Sequence, residues 1–175
     1  AEQGVRDLKD LLKLPVLTHV IEAYDISNIS GTYAVASMVV AVDGVPHKNH
    51  YRRFRIKSVT GSDDPAMMAE VITRRFRGLV ERGEALPGLV VVDGGLTQLK
   101  AARAALRKLD LAAVPVAGLA KRFELVYIHP AEPPLVLERS SAALQVLQRL
   151  RDEAHRFALD YHQRLRRKRI RESIL

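Results

Sequence analysis

The side chains best placed for chemistry in this sequence are acidic groups at the ends of elements. Asp25 lies in Tyr24-Asp25-Ile26-Ser27, and Asp93 closes the apolar run Val90-Val91-Val92 just before Gly94-Gly95. Carboxylates at the carboxyl ends of strands sit where α/β proteins hold ligands. Paired glycines let the chain turn away sharply and clear space for a bulky group. Asp93 also fits a plain Asp-Gly turn. Asp63 and Asp64 precede Pro65, where either can cap a helix, and spacing does not choose between cap and ligand. His155, in Arg151-Asp152-Glu153-Ala154-His155-Arg156, flanks an apolar helical stripe and fits either an interface histidine or a ligand. Carboxylates crowded in a cleft repel one another, and a divalent cation relieves that cost. Mg²⁺ or Mn²⁺ held by such carboxylates can activate water and stabilise charge developing on a phosphate, with an imidazole completing the coordination.

The elements that must position these groups follow from periodicity. Val5, Leu8, Leu11 and Leu12 form a short amphipathic run stopped by Pro15, so residues 1–17 read as a linker or packing arm. Strands are expected over His19–Ile26, Ala34–Val42, Tyr51–Ile56, Leu89–Val92 and Val114–Leu119, five in all. The first three form an antiparallel meander, its third strand near an edge. A helix after Pro65 buries Met67, Met68, Val71, Ile72, Phe76, Leu79 and Val80. A second runs from about Leu96 to Lys108. Residues 123–134 read as a surface hairpin or loop. Ser140 or Ser141 caps a long helix, apolar at Leu144, Leu147, Leu150, Ala154, Phe157, Tyr161 and Leu165. The order β-β-β-α-β-α-β-α describes a mixed sheet with helices against it, one domain from 18 to 175.

Composition narrows the chemistry. The chain has 175 residues and no Cys, so thiolate chemistry and disulfides are excluded and any metal ligands are O and N. Twenty-eight Lys and Arg against 20 Asp and Glu give a formal charge of +8, which fits phosphate backbones or anionic membranes. No apolar stretch is long enough to span a membrane. No phosphate-binding glycine loop or dinucleotide fingerprint is present. Arg52, Arg53 and Arg55 on the third strand and Arg74, Arg75 and Arg77 on the first long helix are candidates for phosphate contact, with Lys100 and Lys121 after them. Each also fits a solvated face. Asn28 and Ser30, just after Asp25, could position water or phosphate. The last helix ends with six basic residues in the eight from Arg164 to Arg171.

Several of these segments together resemble the C-terminal endonuclease domain of UvrC, a subunit of the bacterial nucleotide excision repair excinuclease. The matching stretches are Tyr24–Gly31, Tyr51–Phe54, Asp63–Met68, Thr73–Phe76, Val91–Gly95 and Arg151–Phe157, in one order across roughly residues 20 to 165. The resemblance implies an α/β, ribonuclease H-like fold with a five-stranded mixed sheet flanked by helices. It implies a metal-dependent DNA endonuclease, with Mg²⁺ or Mn²⁺, that makes the 5′ incision beside a lesion and leaves 3′-hydroxyl and 5′-phosphate ends. The family's catalytic groups fall on Asp25, Asp64, Asp93 and His155, which favours Asp64 over Asp63. Damaged double-stranded DNA and, through a full-length protein, a UvrB-DNA complex are the implied partners, in the cytoplasm. The family's other nuclease domain and its helix-hairpin-helix module do not appear in the sequence, so weak DNA binding and poor cutting are expected of this piece. A non-catalytic nucleic-acid-binding module of the same fold and another ribonuclease H-like nuclease are the alternatives.

Overall fold

In the computed structural model, which describes residues 1–29, 33–58, 63–121 and 125–174, one mixed sheet lies between two helical layers. Its elements are α1 (Glu2–Leu11), β1 (Val20–Ile29), β2 (Tyr33–Val42), β3 (Val45–Pro46), β4 (Arg52–Arg55), α2 (Asp64–Glu81), β5 (Leu89–Asp93), α3 (Gly95–Lys108), β6 (Val116–Leu119), β7 (Leu125–Tyr127), β8 (Leu135–Val136) and α4 (Ala142–Ile174). The strand order is β3-β2-β1-β5-β6-β7-β8, and β4 also pairs with β2. β1, β5 and β6 run parallel at the centre, and the remaining pairs are antiparallel.

The sheet has eight strands, which corrects the five-stranded sheet expected from sequence. The five expected strands correspond to β1, β2, β4, β5 and β6. The additions are β3, β7 and β8, of two or three residues each. Such short edge strands carry no readable alternation, because their pairing depends on the neighbour they extend.

Alternation along the central strands sorts side chains into two cores. Tyr24, Ala36, Met38, Val90, Val92 and Val116 face α2 and α3, where they meet Met68, Ile72, Phe76, Leu99 and Leu106. Ile21, Ala23, Val39, Val91, Ala117 and Leu119 face α4 and α1, where they meet Leu8, Leu144, Leu147, Leu150 and Ala154. α1 is therefore a packed part of the second core, with Leu8 fully buried.

Capping follows the short polar side chains. Asp63 caps α2, its Oδ1 accepting from the Ala66 amide at 3.1 Å, which leaves the Asp64 carboxylate for another role. Ser141 Oγ accepts from the Leu144 amide at 3.2 Å at the start of α4. Among the described residues no helix is long and apolar enough to cross a membrane.

Candidate active site

Asp25 and Asp93 belong to neighbouring parallel strands whose register pairs Ala23 with Val91 and Tyr24 with Val92. Period-2 alternation puts both carboxylates on the face that carries Ala23 and Val91, under α4. From that helix His155 turns its Nδ1 to 3.6 Å from Asp25 Oδ2, within ion-pair range but beyond a hydrogen bond. Lys121 follows β6, itself paired with β5, and stands on the same side. Together with Arg151 and Asp152 these groups line a cleft of about 400 Å³.

Backbone geometry clears this space. Gly94 adopts φ +123°, a conformation that L side chains rarely take, so the chain turns off the end of β5 immediately after Asp93. A side chain at Gly94 would also meet Gln98, with a Cβ 2.5 Å from its Cγ. Gly118 lets β6 approach the same turn, since a Cβ there would lie 2.6 Å from the Gly95 carbonyl oxygen.

The electrostatics are those of a charged pair short of a partner. Burial pushes the Asp25 carboxyl up from its ordinary pKa, and the negative charge of Asp93 pushes it further; His155 and Lys121 oppose them incompletely. The Asp93 Oδ1 is buried with no hydrogen-bond partner. Among the described residues no set of three His, Asp or Glu side chains converges as a cation site. Two carboxylates beside a basic rim still suit Mg²⁺, which commonly takes one or two carboxylates, waters and substrate phosphate oxygens.

Asp64 stands apart from this cleft's lining. It opens α2, which packs on the opposite face of the sheet, and its Oδ1 is also buried without a partner. Of the expected phosphate contacts among the described residues, only Lys121 lines the cleft. Arg52 and Lys100 are exposed elsewhere on the surface. Arg53 lies under α4, over the rings of Phe157 and Tyr161, and its Nη2 donates to the Phe157 carbonyl oxygen at 3.1 Å. Arg74 binds Glu70 and the Arg55 carbonyl oxygen. Arg75 forms a part-buried ion pair with the buried Glu22 at 2.8 Å. Asn28 is exposed, and Ser30 lies outside the described residues.

Three residues near the site carry no sequence signal strong enough to single them out. Arg151 sits one turn before His155, a spacing visible only once the helix face is known. Asp152 follows it. Ser37 is paired across the strands with Asp25, fully buried, with its Oγ unpartnered.

Comparison with known proteins places the chain in a family. The model of the UvrC RNase H endonuclease domain family matches residues 9–159. UvrABC system protein C from Acidobacterium capsulatum is 48% identical over 169 residues, covering 96% of this chain and 26% of that protein. Its counterpart in Dehalococcoides mccartyi strain BAV1 is 52% identical over 171 residues, covering 94% and 28%. The chain thus spans about a quarter of the length of these relatives. Endonuclease V from Bacillus subtilis overlays with a TM-score of 0.48 at 13% identity over 91% of each chain, too loose a likeness to carry an argument.

Proposed function

Because the chain belongs to the UvrC RNase H endonuclease domain family, we propose that it is the divalent-cation-dependent DNA endonuclease domain that makes the 5′ incision beside a lesion in nucleotide excision repair. The observation that carries the reading is the pair Asp25 and Asp93, side by side under α4 in a cleft with Lys121, Arg151 and His155. Asp25 and Asp93 would hold the cation, Mg²⁺ or Mn²⁺. Asp64, outside this cleft's lining but with its own unpartnered buried oxygen, would be the third acidic group of the reaction, as the family resemblance assigns it. When bound, the cation supplies an activated water and charge stabilisation at the scissile phosphate.

The chain's own groups do the rest. Lys121 and Arg151 neutralise the phosphate entering the cleft and hold it over the central strands. His155, exposed on its outer side, keeps Nδ1 towards Asp25 and leaves Nε2 for the substrate, where it would take a proton from the attacking water or give one to the departing 3′ oxygen. Hydrolysis leaves 3′-hydroxyl and 5′-phosphate ends. Delivery of damaged DNA, by a UvrB-DNA complex, belongs to the full-length protein of which such a domain is part.

Calorimetric titration with Mn²⁺ tests the centre. The wild-type chain binds and Asp25→Asn does not, whereas equal binding by both would remove the proposed site. Incision of a lesion-bearing duplex, an RNA-DNA hybrid and branched DNA by a full-length protein carrying this domain tests the substrate; cutting confined to the hybrid would overturn the repair assignment.

A further inference from the structure

α4 is 33 residues long, about 50 Å at 1.5 Å per residue, and only its first half is buried against the sheet. Beyond Leu165 every described residue of the helix is exposed. This exposed end carries Arg166, Arg167, Lys168, Arg169 and Arg171 against one acidic residue, Glu172. A helix that continues past its own core with such a charge balance is held for something other than packing.

The basic residues are not spread evenly with respect to the cleft. At about 100° per residue, Arg151, His155, His162, Arg166 and Arg169 fall within roughly 40° of one line along α4. Arg151 and His155 line the cleft, so the line starts at the proposed cutting centre. After burial, which acts most strongly, the charges of Arg166 and His155 both depress the His162 pKa, as expected of groups sharing a face. No acidic residue stands on the line. Lys168 and Arg171 lie on the opposite side of the helix.

We propose that this line is a track for the phosphate backbone of the DNA strand leaving the cleft. The inference rests on the reading that the cleft holds the scissile phosphate. Arg166 and Arg169 stand about 16 and 21 Å beyond His155 along the helix. That reach covers several nucleotides of the departing strand. The contacts read no sequence, and they hold the strand's direction through the cleft.

The test compares two double variants that remove the same charge from opposite faces, Arg166→Gln/Arg169→Gln and Lys168→Gln/Arg171→Gln. Binding of a labelled duplex to each chain is followed by fluorescence anisotropy across a salt series in chelator, with circular dichroism to verify folding. Arg166→Gln/Arg169→Gln should bind several-fold more weakly, and its slope of log affinity against log salt should fall by nearly 2, about 0.9 per lost phosphate contact. Lys168→Gln/Arg171→Gln should keep most of the wild-type slope. Equal losses in the two variants would mean bulk charge alone, and an unchanged Arg166→Gln/Arg169→Gln slope would mean no contact; either overturns the track. Mn²⁺ calorimetry on the same variants separates the two readings, because failure of the metal centre leaves the salt slopes standing.

Discussion

The Arg53 guanidinium lies 3.7 Å above the centroid of the Phe157 ring, and its Nη2 donates to the carbonyl oxygen of that same residue. β4 is thereby clamped to α4 at a residue only two positions after His155. A charged hydrogen bond contributes about 1.5–3 kcal/mol and a part-buried cation-π contact about 0.5–2 kcal/mol. Arg53→Ala should therefore lose roughly 2–5 kcal/mol of stability in urea denaturation. A double-mutant cycle with Phe157→Leu should show a coupling of about 0.5–2 kcal/mol. Additive losses would mean that the two residues stabilise the helix independently.

Cation binding should appear as stability. At a Mn²⁺ concentration about 100 times its dissociation constant, linkage adds about 2.7 kcal/mol, a rise in melting temperature of roughly 5–10 °C for a chain of this size. Asp25→Asn should remove that rise. In chelator the sign reverses, because the folded protein raises the Asp25 pKa through burial and the charge of Asp93. A raised carboxyl favours folding below its unfolded pKa of about 3.9 and loses that advantage as pH climbs through the folded value. Metal-free Asp25→Asn should thus melt above wild type at pH 7 and converge with it near pH 3. A lower melting temperature at pH 7 would show that His155 and Lys121 outweigh the crowding.

Asp93 closes β5, whereas Asp25 lies inside β1, just past its last pairing with β5. The faces on which both emerge were nonetheless legible in the sequence, because alternation along an apolar strand fixes them. The roles of the arginines were not. Arg75 reads as surface charge on an amphipathic helix, yet Glu22 stands on the inner face of β1, between Val20 and Tyr24, and draws Arg75 into the core. That partnership spans 53 positions and depends on how α2 crosses β1, which periodicity does not encode. Arg53 reads as an edge-strand charge for the same reason: α4, which covers it, lies about a hundred residues further on. The three short strands beyond the expected five likewise exist only through their pairing with neighbours.

Glu70 ties the end of β4 to α2. Its carboxylate accepts from the Lys57 amide at 2.9 Å, the Ser58 amide at 2.7 Å and the Ser58 hydroxyl, and pairs with Arg74 at 3.1 Å. Burial would raise its pKa, but the hydrogen bonds from Ser58, Lys57 and Arg74 together hold it below the ordinary value. The stability it contributes is present above the unfolded pKa of about 4.3 and is lost as pH falls through the lower folded value. Glu70→Gln should cost about 1–3 kcal/mol at pH 7, and the gap should narrow steadily in denaturation series taken from pH 5 down to pH 2. A gap that stayed constant would assign the loss to shape and not to charge.

Arg75 and Lys121 carry the same charge and should behave as opposites. Arg75 is half-buried against the buried Glu22, to which Tyr24 also donates a hydrogen bond, so removing it strands a carboxylate in the core. Breaking a buried pair from one side costs about 3–5 kcal/mol, and Arg75→Met should unfold at correspondingly lower urea. While folded, it should bind DNA with the wild-type salt slope, because the guanidinium faces no phosphate. Lys121 is exposed at the rim of the cleft. Lys121→Gln should change stability by less than about 0.5 kcal/mol and lower the salt slope by about 0.9, one phosphate contact. Anisotropy across a salt series and urea denaturation on the same two variants measure both quantities. A reduced slope in folded Arg75→Met together with an unaltered one in Lys121→Gln would move the DNA path from the α4 side of the sheet to the α2 side.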